Sequence, residues 1–368
     1  MKLYVFIIRR LLLMIPVLLG VVAITFALAH ANINLLISEY EGRIHTPQAR
    51  AAVLATLHLN GPFIVQYLYY IGALFTGQWG FTAPLDPYGG GRSVLSVFEM
   101  RFPPTAELAL VATFITIALS IPIGVLSAVR KDRPVDHATR LLALFFVSIP
   151  TFWFAYLVLL AVSPVSSLVP HFLRLNYPTG QINYAQYAFV GNTGQLQPWV
   201  LTGQYSGLTR PTGFLLVDTL LYGDIPAFLD GLKHLFYPAV VVGLTSFGYF
   251  VRFMRSSMLE TLGQDYIRTA KSKGIPANYV IKKHARRNSF GPTTTIMGLF
   301  FAGLLGGVVV VEVIYGWPGM GTWLYEAAIY DDLTSIVVTT FVFAIVIVVA
   351  NLIVDVLYAY LDPRVRLE

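Results

Sequence analysis

The 368-residue sequence contains no cysteine, and charged residues make up only 12% of it, about half the ~25% of an ordinary soluble domain. The first absence excludes disulfide scaffolds, thiolate zinc sites, thiolate-bound iron–sulfur clusters and cysteine nucleophiles. The second, set beside 56% hydrophobic residues and a mean hydropathy of +0.67, excludes a disordered chain and argues against soluble domains. No Gly-x-x-x-x-Gly-Lys-Ser/Thr loop occurs, so the chain has no phosphate-cradling loop of its own. None of the seven histidines is followed by Glu, which removes His-Glu-x-x-His zinc hydrolysis, and there is no Gly-x-Ser-x-Gly elbow. Tyr330-Asp331 has the form of half an intramembrane aspartyl protease, but Gly319-Met-Gly-Thr322 supplies no second aspartate. The net charge of +6 is not gathered into a soluble patch that would suit nucleic acid. The composition is that of an integral membrane protein.

A membrane helix needs roughly 20 apolar residues in a row. Six stretches without Asp, Glu, Lys, Arg or His meet or approach this: Leu11–Ala29, Leu108–Val129, Leu141–Val162, Leu235–Val251, Thr293–Val311 and Thr334–Val354. Arg252 and Arg255 can lengthen the short fourth stretch by snorkelling. The first stretch resembles a signal peptide in its basic flank, but it is too long for an ordinary apolar signal region and reads as a retained helix. With the N-terminus in the cytoplasm, 18 of the 25 Lys and Arg residues fall on the inner side. The sequence therefore predicts a multi-pass protein of the cell membrane with both termini cytoplasmic.

The outer loops, 30–107 and 163–234, are long for connectors. Thr46–Leu59 and Phe63–Phe75 carry enough apolar periodicity for short helices near the membrane surface. The second loop is rich in Tyr, Gln, Asn, Gly and Pro, with turn signals at Asn176–Gly180 and Arg210–Gly213. It reads as a folded extracytoplasmic insertion, partly strand. No internal repeat is present, so the inverted-repeat signature of many secondary transporters is missing.

The most informative segment is the cytoplasmic loop 252–292. Leu259, Leu262, Tyr266 and Ala270 recur at steps of three, four and four, which predicts one amphipathic helix. Gly274-Ile275-Pro276 stops it, glycine suiting the left-handed position after a helix. A second short helix, Ala277 to about His284, leads back to the membrane. A basic loop of this kind would also rest on anionic lipid.

Arg255-Ser-Ser-Met-Leu-Glu260, then Gln264-Asp265 to Gly274, then His284-Ala-Arg-Arg-Asn288 closely resemble the coupling loop of ABC importer permeases. In that loop Arg268, Thr269 and Ala270 stand where the family has Glu-Ala-Ala, with Lys271-Ser272-Lys273 and Gly274 following. Further resemblance to the B-type, or first, permease of the dipeptide/oligopeptide/nickel branch lies in Ile8–Pro16, Gln66-Tyr67, Arg101–Thr105, Ile121–Val125 and Ser148–Trp153. It continues in Gly307–Glu312, Trp317–Gly321, Asn351–Asp355 and Asp362–Arg364. Two departures stand out: Leu57-His-Leu-Asn-Gly-Pro62 replaces the usual Leu-Gly-Leu-Asp, and the 163–234 insertion is longer than expected.

The resemblance implies an all-α polytopic protein with the type I ABC importer permease fold, six transmembrane helices and extracytoplasmic insertions. Residues 1–105 would form the N-terminal helix and first outer region, 106–360 the permease core, and 361–368 a cytoplasmic tail. It implies half of a translocation pathway for peptides, with nickel or oligosaccharides as alternative cargo. The chain would not itself be an enzyme and would hold no cofactor or metal. ATP and Mg would sit in two cytoplasmic ABC ATPase subunits, beside a second homologous permease, an extracytoplasmic substrate-binding protein and membrane lipid. A channel or a secondary transporter is the reading from another class.

Magnitudes constrain the docking element. Moving a two-state pore from 1:99 to 99:1 takes about 5.5 kcal/mol of differential binding. Exposed ion pairs give at most ~1 kcal/mol each, so Arg268, Lys271 and Lys273 do not suffice. Burial at ~25 cal/mol per Å² would need on the order of 220 Å², for which Tyr266, Ile267, Ala270 and Ile275 are the expected suppliers. In the fifth span Gly303 and Gly307 permit close helix approach or leave a smooth pathway wall. Glu312 either faces the pathway or reaches interfacial water. Asn351 and Asp355 share one face of the sixth span and are expected to bond a neighbouring helix.

Overall fold

The computed structural model describes residues 3–31, 37, 46–56, 58–83, 91–163, 168, 204–205, 208–209, 212–221, 225–305 and 308–361. Helix α1 (Leu3–Ala31) is the first span. Two short helices follow where periodicity placed them, α2 (Pro47–Thr56) and α3 (Phe63–Thr76). Gln66 anchors α3: its amide donates to Leu59 O and Gly61 O, and its Oε1 lies 2.7 Å from His30 Nε2 near the C-terminal end of α1.

The second span is a 36-residue helix, α4 (Val94–Val129). At 1.5 Å per residue it is about 54 Å long, far beyond a hydrocarbon core of ~30 Å. It crosses α8 (Ile225–Leu262), a helix of 38 residues, at close range. Small residues make this possible: a Cβ on Gly124 would lie 2.8 Å from Met254 Cβ, and one on Gly243 2.9 Å from Ile115 Cγ2. Thr116 Oγ1 adds a bond to Gly243 O at 3.3 Å. In α8, 72% of the apolar window is buried, against 17% in α1. The core is therefore built around α8, and α1 lies at the periphery.

The third expected span is not one helix. α5 (Pro134–Ser148) and α6 (Thr151–Val162) meet at 98°. Pro150 has no N–H to give and pushes Ile149 to an extended φ −79°, ψ 125°, so the helix ends and restarts. The fifth span is likewise two pieces, α11 (Arg286–Leu305) and α12 (Val309–Tyr315), bent by 49°. After α13 (Met320–Ile329) comes the last span, α14 (Leu333–Leu361). The chain is an all-α polytopic membrane protein, with four unbroken apolar spans and two bent pairs among the described residues.

Most of the 163–234 insertion lies outside the described residues. Its described part holds a small antiparallel ladder, β1 (Gln204–Tyr205) with β2 (Leu208–Thr209), and α7 (Leu215–Leu221). Asp218 accepts hydrogen bonds from Thr212 N, Thr212 Oγ1 and Gly213 N. Leu216 N–H donates to Glu107 Oε1 of α4 at 2.9 Å. The described part of the insertion is thus fastened to α4.

Candidate coupling site and its supports

Between α8 and α11 the chain forms α9 (Asp265–Ser272), a single turn α10 (Ala277–Tyr279) and a π-helical stretch Val280–Ala285 that runs into α11. The expected stop is where the sequence put it. Gly274 has φ +73°, its N–H donates to Lys271 O, and the Ile275 N–H donates to Ala270 O. That pair of bonds is the Schellman arrangement, which satisfies two carbonyls left over at a helix end. Asp265 in the first turn and Lys271 in the last both suit the helix dipole.

The buried face keeps Leu259, Leu262 and Ala270 of the expected stripe and replaces Tyr266 by Ile267. Leu259 and Leu262 belong to α8, which ends at Gly263 and Gln264, so the count of steps runs across a break. On α9 the inward residues are Ile267, fully buried, and Ala270. They pack with Ala128, Met258, Val280 and Ala285 and against Val125, Leu259, Leu262, Ile275 and Ile281. Ile267 and Ala270 are therefore the floor of the helix. Arg268, Thr269, Lys271, Lys273 and Gly274 are exposed, Tyr266 is 42% exposed, and Ile275 is half-buried. Tyr279, which the sequence reading passed over, is 45% exposed beside them. Its hydroxyl accepts from Lys283 Nζ at 2.6 Å, and the Tyr266 hydroxyl accepts from Asn288 Nδ2 at 2.9 Å. The Arg268–Asp265 pair at 3.3 Å is highly exposed and adds little.

Asp136 lies under this platform and was not foreseen. Its fully buried carboxylate accepts from Arg255 Nε and Nη2, each at 2.7 Å, from Ser127 Oγ at 2.5 Å and from Asp132 N–H at 3.0 Å. Arg255 stood in a quoted motif. Its partner is 119 residues away, and no local pattern announces it.

At the opposite end of the core, Glu312 is fully buried within its own chain. It accepts from Thr105 Oγ1 at 2.7 Å and from the Gly321 and Thr322 N–H groups at 2.7 and 3.1 Å. Those amides open α13, so the carboxylate caps that helix from α12. Trp317 Nε1 donates to Pro104 O at 2.9 Å, and Arg101 pairs with Glu326 at 2.8 Å. Glu312 joins its own helix to α4 and α13, in place of facing a pathway or interfacial water. Glycine is required at Gly321, where a Cβ would lie 2.6 Å from Val309 Cα and 2.7 Å from Glu312 Oε2. Among the described residues nothing lies within 4 Å of where a Cβ on Gly303 would stand, so it serves no close approach to them. Gly307 and the side chain of Asp355 lie outside the described residues.

Bent apolar spans, a short helix held on an apolar floor at their ends, and a capped turn at the other end of the core define a polytopic membrane protein. Residues 120–367 match the family described as binding-protein-dependent transport system inner membrane component, and residues 3–109 match its N-terminal membrane component. The chain belongs to this family. It is 35% identical over 366 residues to the dipeptide transport system permease protein DppB of Escherichia coli (strain K12), covering 98% of both chains. It is 33% identical to the di/tripeptide permease DppB of Pseudomonas aeruginosa (strain UCBPP-PA14), again over 98% of each. It is 32% identical to the oligopeptide permease AppB of Bacillus subtilis (strain 168), over 98% of this chain and 99% of that one.

Proposed function

We propose that this chain forms one half of the translocation pathway of an ATP-driven importer of short peptides. It pairs with a second homologous permease, two cytoplasmic ATPase subunits that bind ATP and Mg, and an extracytoplasmic binding protein. The near full-length likeness to three peptide permeases supports the cargo. Residues 106–360 act as the permease core, 1–105 as the N-terminal helix and first outer region, and 361–368 as a tail. Both termini face the cytoplasm.

The observation that carries the docking role is α9 itself, an amphipathic helix set on the ends of α4 and α8 with its polar face uncovered. Its contact with an ATPase uses Asp265, Tyr266, Arg268, Thr269, Lys271, Lys273, Gly274 and Ile275. Ile267 and Ala270 hold it from below. Burying the exposed parts of Tyr266 and Tyr279 removes on the order of 170 Å² from water, roughly 4 kcal/mol. With a few charge contacts this approaches the switching requirement of about 5.5 kcal/mol.

Copurification and transport test the reading together. The chain is expressed with its genomic neighbours, purified through a tag on this subunit and reconstituted with the binding protein. ATPase subunits in the eluate and MgATP-dependent uptake of a labelled dipeptide are expected. Elution of this chain alone with ATP-independent flux would favour a channel or secondary transporter, and uptake of Ni²⁺ or an oligosaccharide but no peptide would reassign the cargo.

A further inference from the structure

The floor beneath α9 is made by two helices that the chain must hold at a fixed spacing. Ala128 and Val125 come from α4, and Met258, Leu259 and Leu262 from α8. Arg255, Met258, Leu259 and Leu262 lie at i, i+3, i+4 and i+7, on one face of α8. Ser127 is the neighbour of Ala128. Asp136 binds Ser127 on one side and Arg255 on the other, one residue from the floor on α4 and about one helical turn from it on α8. Its second oxygen also takes the Asp132 N–H, and Asp132 is held at φ +59° in the turn between α4 and α5. One buried carboxylate therefore ties the α4–α5 turn, α4, α5 and α8 into one unit beside the docking helix. Arg140 Nη2, at 3.9 Å, is a more distant second cation.

A buried ion pair is weak evidence for stability, because well-packed apolar residues often replace one without loss. Its geometry is more informative. A two-pronged arginine contact fixes rotation as well as distance, which a single charge contact does not. We infer that Asp136 is a positioning residue for ATPase coupling, and that the turn between α4 and α5 belongs to the coupling apparatus through it. The inference rests on the docking role proposed above. Rotation of α8 about its axis carries Met258 and Leu259 with it, and so moves the surface on which Ile267 and Ala270 sit.

The test uses the complete transporter with Lys273→Cys in the cysteine-free chain. Asp136→Asn, Arg255→Lys and the double variant Asp136→Asn/Arg255→Gln are compared, with cross-linking of position 273 to an ATPase cysteine as the positional readout. In the single variants that assemble, basal ATP hydrolysis is expected within about twofold of the Lys273→Cys parent while stimulation by loaded binding protein falls at least about fivefold below that parent. Cross-linking at position 273 falls with it. The double variant leaves no lone buried charge, so its yield recovers while stimulation and cross-linking stay low. Wild-type stimulation in Asp136→Asn would overturn the proposal. So would recovery of yield and stimulation together in the double variant, or failure of all three variants to assemble, since each assigns Asp136 to folding alone. A parent Lys273→Cys protein that never cross-links to the ATPase would instead sink the docking reading.

Discussion

Thr105 and Glu312 are 207 residues apart, yet one hydroxyl joins them. Thr105 Oγ1 donates to the Glu312 carboxylate at 2.7 Å and accepts the Met320 N–H at 2.8 Å. The hydroxyl thus stands between α12 and the first turn of α13, and both of its bonds are buried.

Thr105→Val keeps the shape and removes both bonds, leaving the Met320 N–H and one carboxylate oxygen short of a partner. A loss of about 1–3 kcal/mol is expected for groups stranded in this way. Thermal unfolding of the purified transporter should show a lowered Tm for Thr105→Val and a nearly unchanged one for Thr105→Ser. Equal values for the two would remove the hydroxyl from the account.

Gly274→Val tests backbone conformation without a steric clash, because a Cβ there meets nothing within 4 Å. Holding a β-branched residue at φ +73° costs roughly 1–3 kcal/mol. The spans should insert normally while binding-protein-stimulated ATP hydrolysis drops sharply and Gly274→Asn retains more of it. Full transport by Gly274→Val in vesicles would count against the docking geometry.

Gly248 and Gly303 should behave oppositely. A Cβ at Gly248 overlaps Ala143 O and comes within 2.6 Å of Val147 Cγ2, where α8 presses on α5. Gly248→Ala is expected to lower stability by about 1–3 kcal/mol, as overpacking does. Gly303→Ala should stay within about 0.5 kcal/mol of wild type. Melting curves with similar Tm for both variants would contradict this crossing of α5 and α8.

Orientation is tested by single cysteines. With 18 of 25 basic residues on one side, Lys273→Cys should resist a membrane-impermeant thiol reagent in intact cells, and Tyr330→Cys should react. The reverse pattern would invert the topology and move α9 away from the cytoplasm.

What the sequence made legible was local. Gly274-Ile275-Pro276 stops a helix by its own backbone chemistry, and the structure has the bonds that chemistry calls for. The spans followed from run length, but their breaks did not. Leu141–Val162 is an unbroken apolar run, and a run says nothing of the 98° bend that Pro150 imposes inside it. The stripe through Leu259, Leu262, Tyr266 and Ala270 held at three positions, which share one apolar cluster, and failed at Tyr266, because it was counted across Gly263, where the helix ends and its phase restarts. Ile267, one residue from Tyr266, took the inner face instead. Glu312 and Asp136 were illegible for another reason. Each has one side-chain partner more than a hundred residues away, Thr105 for Glu312 and Arg255 for Asp136, and pairing at that separation leaves no mark on spacing.

The π-helical stretch Val280–Ala285 bears on which length changes this loop would survive. A π turn holds one residue more than an α turn between the same two ends. Loss of a single codon for Lys282 or Lys283 would close the stretch into ordinary α-helix, with Ala277 and Arg286 still in step. The same loss inside Asp265–Ser272 has no surplus residue to draw on, and would swing everything after it by about 100° around the helix axis. Viable single-residue deletions in this loop should therefore fall between Val280 and Ala285, where the chain carries a spare.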